Sequence, residues 1–155
     1  MDYSKIPSPV FVVDEKLLRQ NLELLDYVQK EAEIDIILAF KGFAMWSLFP
    51  LIRNYLKGAT ASSLNEARLC AEEMKAPAHL YAPAYYDDEF KRILSHSSHI
   101  VFNSFNQHRK FYPEVVRSNQ HISCGIRVNP EYSDVKTELY NPGATGSRLG
   151  VGSRE

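Results

Sequence analysis

The sequence predicts an α/β fold with a mostly parallel sheet, and three observations support this. Short apolar runs alternate with amphipathic stretches along most of the 155 residues. Polar residues that favour the start of a helix, such as Asp14 and Ser63, lie directly after apolar runs. The run 36–40 is apolar throughout, which is typical of a strand buried on both faces. Together these features form the pattern of repeated βαβ units.

The individual elements follow from the same periodicity. Strands are expected at 10–13, 35–41, 60–62, 79–82, 99–102 and 122–128. Helices are expected at 15–31, 44–56, 63–74 and 87–94, with another capped by Asn103 or Ser104. Helix 15–31 is expected to share an apolar face formed by Leu17, Leu18, Leu22, Leu25 and Val28. Pro113 predicts a break or a new first turn in the last helix, and 129–155 is predicted to be an irregular loop.

Composition and charge exclude several classes of protein. Hydrophobic residues make up 45% and charged residues 24%, as in a globular domain rather than a disordered or fibrous chain. The net charge of −1 provides no basic surface for nucleic acid or an anionic membrane. No apolar run approaches the about 20 residues of a membrane span, and no secretory leader is recognised, so a cytoplasmic protein is expected. Cys70 and Cys124 are expected to be buried thiols, and no metal site is expected.

Chain length limits the choice among parallel folds. A closed β/α barrel has eight strands and needs about 250 residues, more than this sequence offers. An open doubly wound sheet would fit the length. However, neither GxGxxG nor GxxxxGK[ST] follows any predicted strand, so the phosphate-binding turn of such a sheet is missing.

Lys41 is the most informative residue, because it ends the apolar run 36–40. The carboxyl ends of parallel strands are where α/β folds carry their chemistry. A partly desolvated lysine amine at that place is a nucleophile for carbonyl compounds. The alternative is a lysine whose stem packs on the strand end while its amine reaches solvent.

Several short segments support the reactive interpretation of Lys41. They are Pro9–Asp14, Ala39–Lys41, Gly58–Glu66, Ile126–Pro130 and Ser147–Gly150. In order and spacing this set resembles the fold-type III pyridoxal-phosphate decarboxylases, a superfamily that includes ornithine decarboxylase, diaminopimelate decarboxylase and alanine racemase. Segments 127–131, 137–142 and 146–150 look most like the carboxynorspermidine/carboxyspermidine decarboxylases within it.

The resemblance implies a fold and a set of site residues. Residues 1–155 would be the N-terminal part of a β/α barrel of the alanine racemase and ornithine decarboxylase kind. The remaining barrel strands and a C-terminal β-domain would be absent from this chain. Lys41 would bond covalently to pyridoxal 5'-phosphate, and Arg127 would lie near the cofactor ring. Ser63 matches a turn of the family, although a capping box with Glu66 also explains it. Thr60 stands where the family usually has an aspartate.

The resemblance also implies an activity and an assembly. The reaction would be decarboxylation of carboxynorspermidine or carboxyspermidine in polyamine biosynthesis, by a cytoplasmic homodimer whose site is shared between subunits. The phosphate loop and the acid for the ring nitrogen fall after Gly150 in the family. Two alternatives stay open: a non-catalytic barrel that binds or carries the cofactor, and an inactive fragment with unpaired sheet edges.

Overall fold

The computed structural model describes residues 3–137, 140–144 and 146–153. It confirms the predicted α/β class. Five strands form one parallel sheet: β1 (Leu38–Ala39), β2 (Ala59–Ala61), β3 (Ala78–Tyr81), β4 (Ser97–Phe102) and β5 (Ser123–Ile126). The helices are α1 (Glu15–Ala32), α2 (Phe49–Ile52), α3 (Leu64–Leu69), α4 (Asp87–Leu94) and α5 (Phe105–Arg117). Short 3-10 segments occupy Tyr3–Lys5 and Trp46–Leu48, and a π turn occupies Cys70–Met74.

The strands pair in chain order, β1-β2-β3-β4-β5, and every pair is parallel. Beyond β5, Val128 forms a parallel bridge with Val151, which continues the same order by one step. A doubly wound sheet reverses its strand order at a switch point, whereas a β/α barrel adds each strand beside the previous one. The arrangement is therefore that of an incomplete barrel.

One face of the sheet is covered by helices and contains the core. Its inward-pointing residues are small or apolar and nearly inaccessible: Ala59, Ala61, Ala78, Leu80, Ile100 and Phe102. Phe90 of α4 and Phe111 of α5 pack there with ring centroids 4.4 Å apart. Burying such rings stabilises a domain by about 1.5–3 kcal/mol each. The helix layer therefore fixes the register of the strands.

The opposite face of the sheet, here called the open face, carries the alternate strand residues. Register pairs align one row of them across all five strands: Ala39, Thr60, His79, His99 and Ser123. These side chains are half-buried or exposed. Because successive residues of a strand alternate between faces, Tyr81 and Val101 lie on the open face as well.

The predicted strand 10–13 is wrong. The segment has no regular secondary structure and no strand partner among the described residues, and Phe11 is 95% exposed. Its continuous apolar run satisfies the strand pattern, but a strand also needs a neighbour to which its backbone can bond. No described strand lies beside it.

The predicted strand 35–41 is much shorter in the structure. Only Leu38 and Ala39 pair, because the N–H of Ile36 donates to Oε1 of Gln29 (2.7 Å) on α1 instead of to a neighbouring strand. The expectation of burial on both faces is also wrong, since Ala39 is exposed. β1 is the edge of the described sheet, so one side of it has no partner there.

The helix predicted at 44–56 reduces to α2 preceded by one 3-10 turn. Pro50 lies in the first turn of α2. Because proline has no N–H to donate, it is best accommodated in the first turn of a helix, and the α-helix here starts at Phe49 instead of Ala44. The short α2 nevertheless buries Phe49 and Ile52.

Two other helices differ from expectation in detail. α5 runs through Pro113 without a break, and the buried side chains of Phe111 and Val115 anchor it on both sides. In α1, Leu22 is buried and Leu18 and Leu25 pack against the core, but Leu17 and Val28 are exposed. The apolar face of α1 is therefore narrower than its sequence suggests.

The segment after β5 is irregular as predicted, in the part that the structure describes. Residues 138, 139, 145, 154 and 155, which include part of the 137–142 motif, lie outside that part. Among the described helices none is long and apolar enough to cross a membrane.

Candidate active site

The carboxyl ends of the parallel strands bring the candidate residues to one edge of the sheet. Lys41 follows β1, Ser63 follows β2, Asn103 follows β4 and Arg127 follows β5. In parallel α/β folds this edge is where ligands bind. Because the strands are parallel and pair in chain order, these four residues lie at the same edge of the sheet.

Lys41 lies in a turn directly after β1. The N–H groups of Gly42 and Phe43 both donate to the carbonyl oxygen of Ala39, at 2.9 and 3.0 Å. Phe40 is buried and stacks on Phe49 with centroids 5.2 Å apart, so it anchors the turn to the helix layer. Lys41 itself is exposed, and the partial desolvation expected of it is not found. The reason is that β1 is an edge strand in the described sheet.

Ser63 is the N-cap of α3. Its Oγ accepts the N–H of Glu66 (3.2 Å), and the carboxylate of Glu66 accepts the N–H of Ser62 (2.6 Å). This pair of bonds satisfies N–H groups that the first turn of a helix leaves unpaired. The capping interpretation of Ser63 is therefore confirmed, and its role in cofactor binding stays a prediction.

The same capping arrangement occurs again after β4. Oγ of Ser104 accepts the N–H of Gln107 (3.1 Å), and Oε1 of Gln107 accepts the N–H of Asn103 (2.5 Å). Asn103 thus takes the place that Ser62 has after β2. In both turns the second polar residue, Ser63 or Ser104, caps the helix. The side chain of the preceding residue, Ser62 or Asn103, is therefore not needed for capping.

Arg127 continues the ladder just beyond β5, where its N–H donates to the carbonyl of Phe102 (2.8 Å). The side chain is half-buried, and its guanidinium lies 4.9 Å from the centroid of the Tyr81 ring. A guanidinium over an aromatic face is stabilised by about 0.5–2 kcal/mol. The structure therefore fixes a positive charge at the carboxyl edge of the open face.

Asn103 links this edge to the segment before Val151. Its Oδ1 accepts the hydroxyl of Tyr81 (2.7 Å) and the N–H of Gly150 (2.7 Å). Its Nδ2 donates to the carbonyl oxygen of Arg148 (2.8 Å). Sequence reasoning treated Asn103 only as a helix cap. The sequence did offer a signal, because two polar residues, Asn103 and Ser104, follow the strand and only one of them is needed as a helix cap.

His79 and His99 were not predicted to lie near the candidate site. Their rings stack with centroids 3.8 Å apart on the open face. Burial lowers the pKa of His79, and the charge of His99 lowers it further. Both histidines fall within predicted parallel strands, so their alignment could have been found by pairing those strands.

The residues at this edge fit part of what pyridoxal phosphate requires. An accessible lysine amine and a fixed guanidinium match its aldehyde and its anionic character. The row Ala39, Thr60, His79, His99 and Ser123 contributes no carboxylate for the ring nitrogen. Among the described residues, no hydrogen bond or ion pair joins Lys41 or Ser63 to Arg127.

Comparison with known proteins gives a consistent result, although no family model matches the chain. The chain is 49% identical over 148 residues to a carboxyaminopropylagmatine decarboxylase of Synechocystis. It is 41% identical over 155 residues to a carboxynorspermidine/carboxyspermidine decarboxylase of Campylobacter jejuni. These alignments cover 96% and 100% of the chain, but only 38% and 40% of the relatives.

A solved structure agrees with these relatives. The crystal structure of carboxynorspermidine decarboxylase from Campylobacter jejuni, complexed with norspermidine, superposes with a TM-score of 0.83 at 38% identity. The match covers 96% of this chain and 37% of that one. The chain thus spans about two fifths of the length of the proteins it matches. Over nearly its whole length it is homologous to part of the carboxynorspermidine/carboxyspermidine decarboxylases.

Proposed function

We propose that this chain is the lysine-bearing part of a pyridoxal-phosphate-dependent decarboxylase that acts on a carboxylated polyamine. One observation carries the proposal: Lys41 presents an accessible amine at the carboxyl edge of a sheet whose sequence is homologous to such decarboxylases. The chain would form the N-terminal part of the barrel. The remaining strands and a C-terminal domain would be supplied outside these residues.

Lys41 would hold the cofactor covalently. An uncharged amine attacks an aldehyde carbon, and the exposed turn leaves Nζ free to reach it. Phe40 and the two hydrogen bonds to Ala39 restrain the backbone of the turn, so the amine starts from a defined place. When bound, the pyridine ring would take up the electron pair left by the departing carboxylate.

Arg127 would supply a fixed positive charge beside the cofactor. Its stacking on Tyr81 limits the side chain to one region of the open face. A restrained guanidinium binds an anionic group with a smaller loss of side-chain entropy than a free one. Ser63 is proposed as a further cofactor contact, because its hydroxyl proton is not used by the cap.

The substrate class has two candidates. The match to carboxynorspermidine/carboxyspermidine decarboxylases favours a tail that ends in a primary amine. The 49% identity to a carboxyaminopropylagmatine decarboxylase favours a tail that ends in a guanidinium. Both would lose the same α-carboxylate, so the distinction depends on the groups that recognise the tail. A chain of the relatives' full length, offered both substrates, would separate them by the amine it releases.

Pyridoxal phosphate binding is the first experiment. The purified chain is titrated with the cofactor, reduced with borohydride and digested, and the modified lysine is located by mass spectrometry. Modification of Lys41 and loss of the visible absorbance band in Lys41→Ala are expected. The matched control is Lys57→Ala, because Lys57 is exposed and pairs with Asp35 before β2, at the other end of the sheet.

The outcomes discriminate between the hypotheses. Trapping on another lysine, or an unchanged absorbance band in Lys41→Ala, would overturn the assignment of Lys41. Stoichiometric binding without decarboxylation in a chain of full family length would favour the non-catalytic carrier. No binding by the 155-residue chain combined with activity of the full-length form would place the missing groups outside these residues.

The assembly is part of the same proposal. A homodimer with a site shared between subunits is expected for the full-length form, and sedimentation would measure it. A role in polyamine biosynthesis is consistent with the cytoplasmic location expected from the sequence.

A further inference from the structure

The side chain of Arg127 has a close neighbour at its end and another at its base. The guanidinium lies over the Tyr81 ring, 4.9 Å from its centroid. Gly150 lies near Cγ: a Cβ at this glycine would come within 3.1 Å of Cγ of Arg127 and 3.0 Å of its carbonyl oxygen. Gly150 also has φ +86°, which disfavours any residue with a side chain. The place of the positive charge therefore depends on where Tyr81 and Gly150 are held.

Both neighbours of Arg127 are held by one atom. Oδ1 of Asn103 accepts the Tyr81 hydroxyl and the Gly150 N–H, each at 2.7 Å. The bond to Gly150 spans 47 residues of sequence and the bond to Tyr81 spans 22. Asn103 follows β4, and its side chain thus links that strand to Tyr81 of β3 and to Arg148 and Gly150 in the segment before Val151.

The orientation of the Asn103 amide is determined by its partners. Oδ1 receives two donors, whereas Nδ2 faces the carbonyl oxygen of Arg148 at 2.8 Å. A flipped amide would place a donor against the Gly150 N–H and an acceptor against the Arg148 carbonyl, and would lose both of these bonds. Capping of α5 is already provided by Ser104 and Gln107, so the side chain of Asn103 is not needed for it.

We propose that Asn103 is the positioning residue of Arg127: it fixes the aromatic ring against which the guanidinium lies and the glycine beside Cγ of the same side chain. The assignment of Arg127 as a cofactor contact rests on the proposed function. The positioning itself does not, because it concerns contacts within the chain. The contacts can therefore be tested by NMR without cofactor, and their effect on binding by cofactor affinity.

The cofactor-free experiment is NMR of the arginine Nε–H groups in the isotopically labelled chain. A proton over an aromatic face resonates upfield of its position in an exposed arginine. The Arg127 signal, identified by its loss in Arg127→Lys, is expected to be shifted upfield in the native chain. It should return to the exposed position in Asn103→Ala. The matched control is Asn106→Ala, which removes an exposed asparagine in the first turn of α5, three residues further along the chain, and should leave the signal in place.

Two conservative variants keep the test decisive if Asn103→Ala does not fold. Asn103→Asp retains the acceptor for Tyr81 and Gly150 and should keep most of the upfield shift. Tyr81→Phe retains the ring but loses the bond to Asn103, so its shift should decrease. An Arg127 signal that is unchanged in both Asn103→Ala and Tyr81→Phe, or in Tyr81→Phe when Asn103→Ala does not fold, would overturn the proposal.

The second experiment is a double-mutant cycle on pyridoxal phosphate affinity. Arg127→Ala is expected to weaken binding about tenfold or more, as for loss of a hydrogen bond to a charged group. Asn103→Ala should weaken it as well, and the double variant should be no weaker than Arg127→Ala alone. Additive losses would contradict the positioning role. If neither this chain nor a chain of the relatives' full length binds the cofactor, the proposed function fails, while the NMR result still decides the positioning role.

Discussion

Replacement of Gln29 by alanine is expected to lower the free energy of unfolding by about 2 kcal/mol. Gln29 is buried on α1, where Nε2 donates to the carbonyl of Tyr55 (2.9 Å) and Oε1 accepts the N–H of Ile36 (2.7 Å). Alanine would leave both backbone groups unpaired. Each costs about 1–3 kcal/mol when fully buried, and both are only partly buried, so the lower end applies. The higher helix propensity of alanine offsets this loss of unfolding free energy by roughly a few tenths of a kcal/mol.

The assay is urea unfolding of the chain, followed by circular dichroism. A loss of this size corresponds to a fall of about 4–8 °C in the melting temperature of a chain of this length. Lys30→Ala is the matched control on the same helix, because it removes only an exposed ion pair with Asp26 (2.6 Å). Such a pair contributes about 0.5 kcal/mol or less. Gln29→Glu should cost at least as much as Gln29→Ala, since it places a carboxylate oxygen against the carbonyl oxygen of Tyr55 at a buried position.

Equal unfolding midpoints of Gln29→Ala and Lys30→Ala in urea would contradict the claim that the two Gln29 hydrogen bonds stabilise the fold. That result would mean that water replaces both bonds at no cost. It would also remove the explanation given above for the shortness of β1, which depends on the bond between Gln29 and Ile36.

Three other measurements test the packing and the pH response of the fold. Burial raises the pKa of Tyr85, so its stability contribution is complete below about pH 10 and falls at higher pH. Between about pH 8 and about pH 11, Tyr85→Phe should lose less stability than the native chain, and an equal loss would contradict this. Phe90→Ala should cost about 3–5 kcal/mol in urea unfolding, far more than the exposed Phe105→Ala. Ser63→Ala should cost about 1 kcal/mol as a lost cap, and cofactor titration of the same variant shows whether Ser63 also binds the cofactor.

The elements that the sequence predicts well are those whose signals are local. α4 occupies 87–94 as expected, because three acidic residues mark its first turn and an apolar stripe continues from it. The turns at Ser63 and Ser104 were found for the same reason, since each cap lies within four residues of its partner.

The elements that the sequence misses depend on distant partners. β1 is only two residues long because the N–H of Ile36 donates to the side chain of Gln29, seven residues earlier, and not to a neighbouring strand. The apolar segment 10–13 lacks a described neighbour, and no local pattern reveals that. Pro50 was a local signal for a helix start near Phe49, but a proline alone does not decide where a helix begins, because α5 continues through Pro113.

The candidate site divides in the same way. Lys41 was predicted because it ends an apolar run, whereas Arg127 was predicted only through the resemblance to the decarboxylase family. Asn103 was not recognised as part of the site, because its partners Arg148 and Gly150 lie more than 40 residues away. Its importance appears only when the strands are brought side by side.

The two matching turns after β2 and β4 have a consequence for how this scaffold could diversify. In each turn one polar residue is committed to folding, whereas its predecessor, Ser62 or Asn103, contributes only a backbone N–H to the helix start. Substitution at the first position would therefore alter what the strand end presents without loosening the helix. Ser62 could therefore be exchanged without weakening the cap of α3, whereas exchange of Asn103 would also remove the bonds that hold Tyr81 and Gly150.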